Sequence, residues 1–321
     1  MTTLALYLPR IGFALPLPVL VVALLWAGPR RWLATQALSL VLVLSPLMGL
    51  TCSLPHRADP RATHMRLLTF NIHAGYSGVD SIASVISRAN ADVVLLQENW
   101  HGEGEALQSR FPAYQFNVSG QFVLISRYPI LEVLEPPQIP MQGQQRSPRF
   151  VRYRVGLPDG TVVQLYNLHP LSPREAFEDL RGDGIGVQVK RGRFFSAKGR
   201  ESLTANAALR AAQVESAAQD ARRSSDPVVL AGDTNLPDLS WALAHSFGGF
   251  QDGFARVGNG FGYTFPRPRG PWMRIDRVMA SEHWRFLTFA TIKDRASDHL
   301  AVVAELELPP RQNRTTPAGD L

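Results

Sequence analysis

The sequence predicts an α/β protein: two packed mixed β-sheets flanked by helices, a four-layer sandwich, preceded by an N-terminal hairpin of two membrane helices. Three observations carry this reading. Short apolar runs recur from residue 65 to residue 308, with only a few helical segments among them. Residues 65 to 98 read strand, helix, strand. Residues 11 to 50 are almost continuously apolar.

Ile11–Gly28 and Leu33–Leu50 are runs of 18 residues each without an ionisable side chain. At a rise of about 1.5 Å per residue each helix would be roughly 27 Å long, near the hydrocarbon thickness of a bilayer. Gly-Pro-Arg-Arg-Trp (28 to 32) between them reads as a polar turn with an interfacial aromatic. Pro16, Pro18 and Pro46 are tolerable in membrane helices, where neighbours re-satisfy the freed backbone groups. Burying two all-round apolar helices inside a soluble domain would need more protein than remains. A cleaved signal peptide fits poorly, because a second apolar run follows and no small-x-small site ends the first. Arg30 and Arg31 mark the turn as cytoplasmic and so place the main domain outside, although Arg10, Arg57, Arg61 and Arg66 pull the other way.

Residues 51 to 64, polar with Pro55 and Pro60, read as a linker. The domain proper then spans 65 to 308. Met65–Asn71 is a buried strand, Val79–Arg88 has helical spacing, and Asp92–Gln97 is a second buried strand. Further strands are predicted at Phe122–Ser126, Ile130–Leu134, Phe150–Leu157 and Thr161–Leu168, the last two joined through the Pro158-Asp159-Gly160 turn. A helix follows at Leu203–Arg222, a strand at Pro227–Ala231, a helix at Asp238–Ser246, and strands at Ile275–Ser281 and Leu300–Leu308. The polar tail, 309 to 321, reads as disordered.

The formal charge is +6, of which Arg10, Arg30 and Arg31 supply three; the rest of the chain has 30 basic and 27 acidic side chains, a net of +3. A dedicated nucleic-acid binder carries a heavier basic excess, so nucleic acid is not the favoured partner. Cys52 is the only cysteine, which excludes an intramolecular disulfide.

The polar residues of interest fall at strand ends: Asn71, Glu98, Asn167, His169, Asp233, Asn235, Asp276, Asp298 and His299. There they can converge on one rim of a sandwich. Glu98 and Asn71 offer the charge and carbonyl oxygen that a hard divalent cation such as Mg²⁺ or Mn²⁺ prefers. Hydrolysis of a phosphoester also needs a base for water and donors for the phosphoryl oxygens. His299 serves as that base if a carboxylate, Asp276 or Asp298, holds its other nitrogen.

Six segments in order, LLTFNIH (67–73), DVVLLQE (92–98), LYNLH (165–169), LAGDTN (230–235), RIDRVMAS (274–281) and SDHLAVVAEL (297–306), resemble the endonuclease/exonuclease/phosphatase superfamily over nearly all of residues 65 to 308. The resemblance implies a metal-dependent hydrolase of phosphoester bonds. It implies Glu98 as principal metal ligand with Asn71, and Asp298 as a further metal or hydrogen-bond partner. His169 would donate to the phosphoryl group, Asp233 orient the water or leaving oxygen, and Asn235 bind a phosphoryl oxygen. His299 matches the general base and Asp276 its orienting partner. Thr234 departs from the pattern, standing where an apolar residue is usual. His73 argues weakly against the apurinic-endonuclease branch.

Lys190, Arg191, Arg193, Lys198 and Arg200 lie in a stretch, 187 to 200, without an acidic residue and with Phe194-Phe195 among them. It reads equally as a lid for anionic headgroups or as a solvated loop. Phe261, Tyr263, Phe265 and Trp272 form an aromatic loop before Asp276 that lines either the substrate mouth or a sheet edge. The apolar N-terminus, the FGYTFP segment (261–266) and Arg-Ile-Asp together resemble bacterial membrane-bound members, including the teicoplanin-resistance membrane proteins. That looser resemblance implies an inner-membrane location, a catalytic domain facing outward, and a substrate that is a phosphate ester or pyrophosphate on a lipid. A nuclease is the leading alternative, and an inactive membrane-anchored binding protein the alternative from another class.

Overall fold

The computed structural model describes residues 5–310 apart from 55, 142, 175, 177–196, 268 and 269. Strands are numbered β1 to β16 along the chain. One six-stranded sheet runs β15 (Arg285–Ile292), β16 (Ala301–Leu308), β2 (Thr63–Asn71), β3 (Val93–Gln97), β5 (Phe122–Ser126), β4 (Gln115–Ser119). The other runs β12 (Gln251–Asp252), β14 (Asp276–Ala280), β11 (Val228–Asp233), β10 (Val162–Leu168), β9 (Phe150–Gly156), β6 (Ile130–Leu134).

Each sheet holds one parallel pair, β2 with β3 and β10 with β11; the other pairings within the two sheets are antiparallel. Parallel neighbours need a crossover. Helix Val79–Ala89 supplies it in the first sheet and helix Ala197–Arg222 in the second. The first is amphipathic, with Ile82, Ala83, Val85, Ile86 and Ala89 buried on the sheet. Asn90 ends it in a left-handed conformation.

The central layer is the sheet-on-sheet core, where Leu67, Leu95, Tyr153, Val229, Val278 and Val302 pack together. Val214, Ala217, Ala218 and Ala221 cover the outer face of the second sheet. The result is the four-layer α/β/β/α sandwich. Strands buried on both faces explain the unbroken apolar runs. At one point the backbones of β10 and β11 come so close that only glycine fits: a Cβ on Gly232, at φ +144°, would lie 2.0 Å from the Leu168 carbonyl oxygen.

The N-terminal region differs from the expected pair of equal spans. One helix, Arg10–Ala27, is long and apolar enough to cross a membrane, with 18 residues, a mean hydropathy of 2.0 and only 6% of it buried. The second apolar run is an α-helix only over Leu33–Leu42 and then widens into a π-turn, Val43–Leu47, around Pro46. Proline lacks the N–H that an α-helical ladder would continue through. The polar stretch after it is not wholly a linker: β1 (Thr51–Cys52) pairs with β13 (Asn259–Gly260). β7 (Ile139–Met141) and β8 (Gln144–Arg146) form a small separate hairpin. Lys190, Arg191 and Arg193 of the basic stretch, and the tail from 311, lie outside the described residues.

Candidate active site

The topology gathers the polar strand ends on one rim. The parallel strands β2, β3, β10 and β11 lead out to Asn71, Glu98, His169 and Asp233, and β14 and β16 enter from the same rim past Asp276 and His299. Asp233 and Asp276 are direct cross-strand partners.

His299 and Asp276 form a buried pair. His299 Nδ1 lies 2.9 and 3.1 Å from the two Asp276 carboxylate oxygens, and neither residue is more than 6% exposed. Thr264 Oγ1 accepts the Asp276 N–H at 3.3 Å, and Phe265 stacks obliquely on the imidazole. Burial alone would lower the His299 pKa, but the Asp276 carboxylate, helped by Asp233, outweighs it and raises it. The carboxylate behind Nδ1 fixes the ring so that Nε2 points at Asp233 Oδ2, 3.7 Å away.

Asp233 sits at the centre. Burial raises its pKa, an effect opposed by His299 and reinforced by Asp276 and Glu98. Its Oδ1 accepts the Asn235 N–H at 2.8 Å, and its Oδ2 accepts from Asn71 Nδ2 at 3.2 Å. Asn71 Nδ2 also donates to Glu98 Oε1 at 3.0 Å, while Asn71 Oδ1 accepts from the His73 N–H. As seated, Asn71 therefore bridges two carboxylates, and its amide would have to turn to present oxygen to a cation.

His169 stands beside them with Nε2 3.5 Å from Glu98 and 3.7 Å from Asp233. Burial, with Arg149 and His299 nearby, lowers its pKa to about 3, so the ring is neutral. Gln121 Oε1 lies 2.5 Å from Nδ1. Two carboxylates facing Nε2 favour a proton on that nitrogen, and the Gln121 amide serves that tautomer by turning its NH₂ to Nδ1.

Asn235 Nδ2 donates to the Pro170 carbonyl at 3.1 Å, which ties it to the His169 segment. The Asp298 carboxylate meets His73 Nδ1 at 3.5 Å. Asn167, by contrast, is not at the rim. Fully buried, it accepts from Gln97 and donates to the Leu96 and Val123 carbonyls, pinning one sheet to the other. Thr234 proves to be a fastener: its hydroxyl donates to the Ile275 carbonyl at 2.7 Å and holds the turn onto β14.

Backbone strain concentrates here. His73, Ala74, Glu98 and Asn235 all have positive φ without being glycine. The turn after Asp233 is held by an ion network in which Arg274 and Arg277 both grip Asp238 and Asp252, at 2.6 to 2.9 Å. These residues, with Gln121 and Thr264, were not foreseen from sequence. The two arginines flank Asp276 in the RIDR segment, which was the one visible signal.

The donors fit a divalent cation. Among the described residues, no lysine or arginine pairs with Glu98, Asp233, Asp276 or Asp298; their charged partners are histidines. Glu98 and Asp298, with side chains 24% and 22% exposed, remain open to a cation that keeps some of its water. Asp233, Asp276 and His299 bring their ligand atoms within 4.8 Å of one another, a second set able to hold a metal. The direct Asp276–His299 bond suits a proton-transfer pair better than two ligands of one ion.

With this fold and rim in hand, the class is that of a sandwich phosphoesterase. The profile described as the Endonuclease/Exonuclease/phosphatase family matches residues 68–299, and the chain belongs to that family. Its members are hydrolases of phosphoester bonds. No curated protein sequence matches the chain. Among solved structures, an endonuclease/exonuclease/phosphatase from Bacteroides vulgatus is similar with a TM-score of 0.57 and 18% identity, covering 77% of this chain and 100% of that one. A humanized D. rerio TDP2 is similar with a TM-score of 0.56 and 19% identity over 76% and 98%. A mannosyl-6-phosphatase from Bacteroides thetaiotaomicron follows with 0.53 and 18% over 75% and 99%. At these identities the likeness is one of fold.

Proposed function

We propose that the chain is a divalent-metal-dependent phosphoesterase, tethered to a membrane by its apolar N-terminus, that hydrolyses a phosphate ester or pyrophosphate. The observation that carries this reading is the buried His299–Asp276 pair facing Asp233 on a rim whose carboxylates, among the described residues, have histidines and no lysine or arginine as ion-pair partners. In its neutral form, the minor one where Asp276 and Asp233 raise its pKa, His299 takes a proton from the attacking water at Nε2, and Asp276 stabilises the imidazolium that results. Asp233 orients the water or the leaving oxygen. His169 Nε2–H and the second amide hydrogen of Asn235 are the donors for phosphoryl oxygens. Glu98 and Asn71, with Asp298, would hold Mg²⁺ or Mn²⁺, which supplies charge neutralisation to the phosphoryl group.

The substrate class we favour is lipid-linked, presented to a domain facing outward from a bacterial inner membrane. The exposed apolar helix Arg10–Ala27, long and apolar enough to cross a bilayer, supports a setting at a membrane surface where such a substrate would be met. The test uses the full-length protein in detergent micelles with Mg²⁺ or Mn²⁺. Hydrolysis of a generic phosphoester should stop with excess chelator and return with metal, and Glu98→Gln should lower it by about 10²-fold with the fold intact. Full activity after verified metal removal would exclude the mechanism. Phosphate release from a lipid pyrophosphate, set against nicking of plasmid DNA, separates the lipid reading from the nuclease one.

A further inference from the structure

The segment that leads into the apolar helix is seated on the candidate site itself. Tyr7 donates its phenolic hydrogen to the Asn235 carbonyl oxygen at 2.6 Å, across 228 positions of sequence. Its own carbonyl accepts from the Trp272 indole N–H at 3.2 Å, and its ring lies 5.8 Å from the Arg210 guanidinium carbon. Arg210 is 2% exposed and donates to the Leu171 carbonyl at 3.0 Å. Among the described residues no carboxylate lies within ion-pair distance of it; the Tyr7 ring laid against the guanidinium and the Asp233 carboxylate farther off offset part of its buried charge.

Leu171 and Asn235 belong to the two strands of backbone that carry His169 and Asp233. Asn235 is strained at φ +50°, and its side chain is already tied to Pro170. A strained turn keeps its shape only while its surroundings over-determine it. Tyr7 and Arg210 supply contacts to this turn beyond those of the ion network of Arg274 and Arg277. Burial lifts the Tyr7 pKa to about 12, so the hydroxyl remains a donor throughout the neutral range.

We propose that Tyr7 is a positioning residue of the active site: its hydroxyl and its ring, laid over Arg210, fix the Asp233–Asn235 turn, so that the apolar N-terminal segment is a working wall of the site as well as a tether. This rests on the reading of that turn as catalytic. The coupling itself can be measured without that reading.

The experiment uses the full-length protein in detergent with Mn²⁺ and bis(4-nitrophenyl) phosphate as probe, alongside amide hydrogen exchange over residues 230 to 240. Tyr7→Phe keeps the ring and deletes one hydrogen bond; it should lower kcat about threefold to tenfold with KM within about twofold. Tyr7→Ala should lose roughly another tenfold, and both variants should exchange faster at the Asn235 and Leu236 amides with the rest of the domain unchanged. Unchanged kcat and exchange in Tyr7→Ala would overturn the proposal. So would faster exchange across the whole domain, which marks a general loss of stability. If the parent protein fails to hydrolyse the probe, the phosphoesterase reading suffers, while local exchange still decides whether Tyr7 fixes the turn.

Discussion

His299 and Asp276 come from different sheets: Asp276 opens β14 and His299 lies just before β16. Their bond therefore reports the packing of the whole sandwich as much as local chemistry. Acting as a unit, they should show strongly non-additive losses. We expect His299→Ala to cut turnover about 10³-fold, Asp276→Asn about 10²-fold, and the double variant no more than His299→Ala alone. Measured kcat values that multiply in full would separate the two roles. At this scale the rim was readable from sequence because Asn71, Glu98, His169, Asp233, Asn235, Asp276 and His299 each interrupt or end an apolar run. Gln121 was not readable: it follows Gly120 in a turn, where a polar residue carries no contrast. Asn167 misled for the opposite reason, as a polar residue near a strand end that is spent on joining the two sheets.

Elements differ in how they hold the rim. The loop from Asp233 to Asp238 has no regular structure of its own and depends on Arg274 and Arg277, the latter 1% exposed. Burial alone would raise the Asp252 pKa, but Arg274 and then Arg277 outweigh it and hold it at about 2. A carboxylate with a depressed folded-state value adds stability above its unfolded value of about 3.9, and that stability is lost as pH falls towards 2. Asp252→Asn should thus cost about 3 kcal/mol at pH 7, because it leaves two buried guanidinium groups short of a counter-ion. In urea unfolding, the gap between variant and parent should narrow below about pH 4. A gap independent of pH would assign the loss to packing. Strands such as β3 and β5 were legible because both faces are buried and the run is apolar up to its last residue, Gln97 or Ser126. The edge strands β4 and β15 went unread, since a half-exposed edge mixes polar and apolar residues without a clean period.

For the molecule as a whole, the question is which side of a membrane the rim faces. Arg30 and Arg31 lie in the short 3₁₀ turn between the two apolar helices, far in sequence from the rim residues. If that turn is cytoplasmic, a phosphatase reporter fused after Leu321 should be active outside the cell's inner membrane and a fluorescent one dark there. Reporter signal confined to the cytoplasm, in an intact fusion, would reverse the assignment and favour nucleotides, nucleic acid or inner-leaflet lipids as substrates. Sequence composition made the apolar segment obvious but could not reveal where its ends attach, because those contacts join residues more than two hundred positions apart.

Those attachments have a mechanical consequence. Tyr7 enters the apolar segment from the rim, and Met48, whose carbonyl accepts from Tyr263 at 2.9 Å, returns to it, followed at once by the pairing of Thr51 and Cys52 with Asn259 and Gly260. A load clamped at both ends has no swivel. On the membrane reading, the domain cannot sweep a volume of solution on a loose leash; it keeps one attitude and searches a plane. Turnover should then follow the mole fraction of substrate in the surface and not its bulk concentration. In mixed micelles, adding inert detergent at constant total substrate should slow an amphiphilic phosphate ester while leaving a water-soluble one unaffected. Equal rates for the amphiphile at every dilution would mean that the clamp sets no plane for the search.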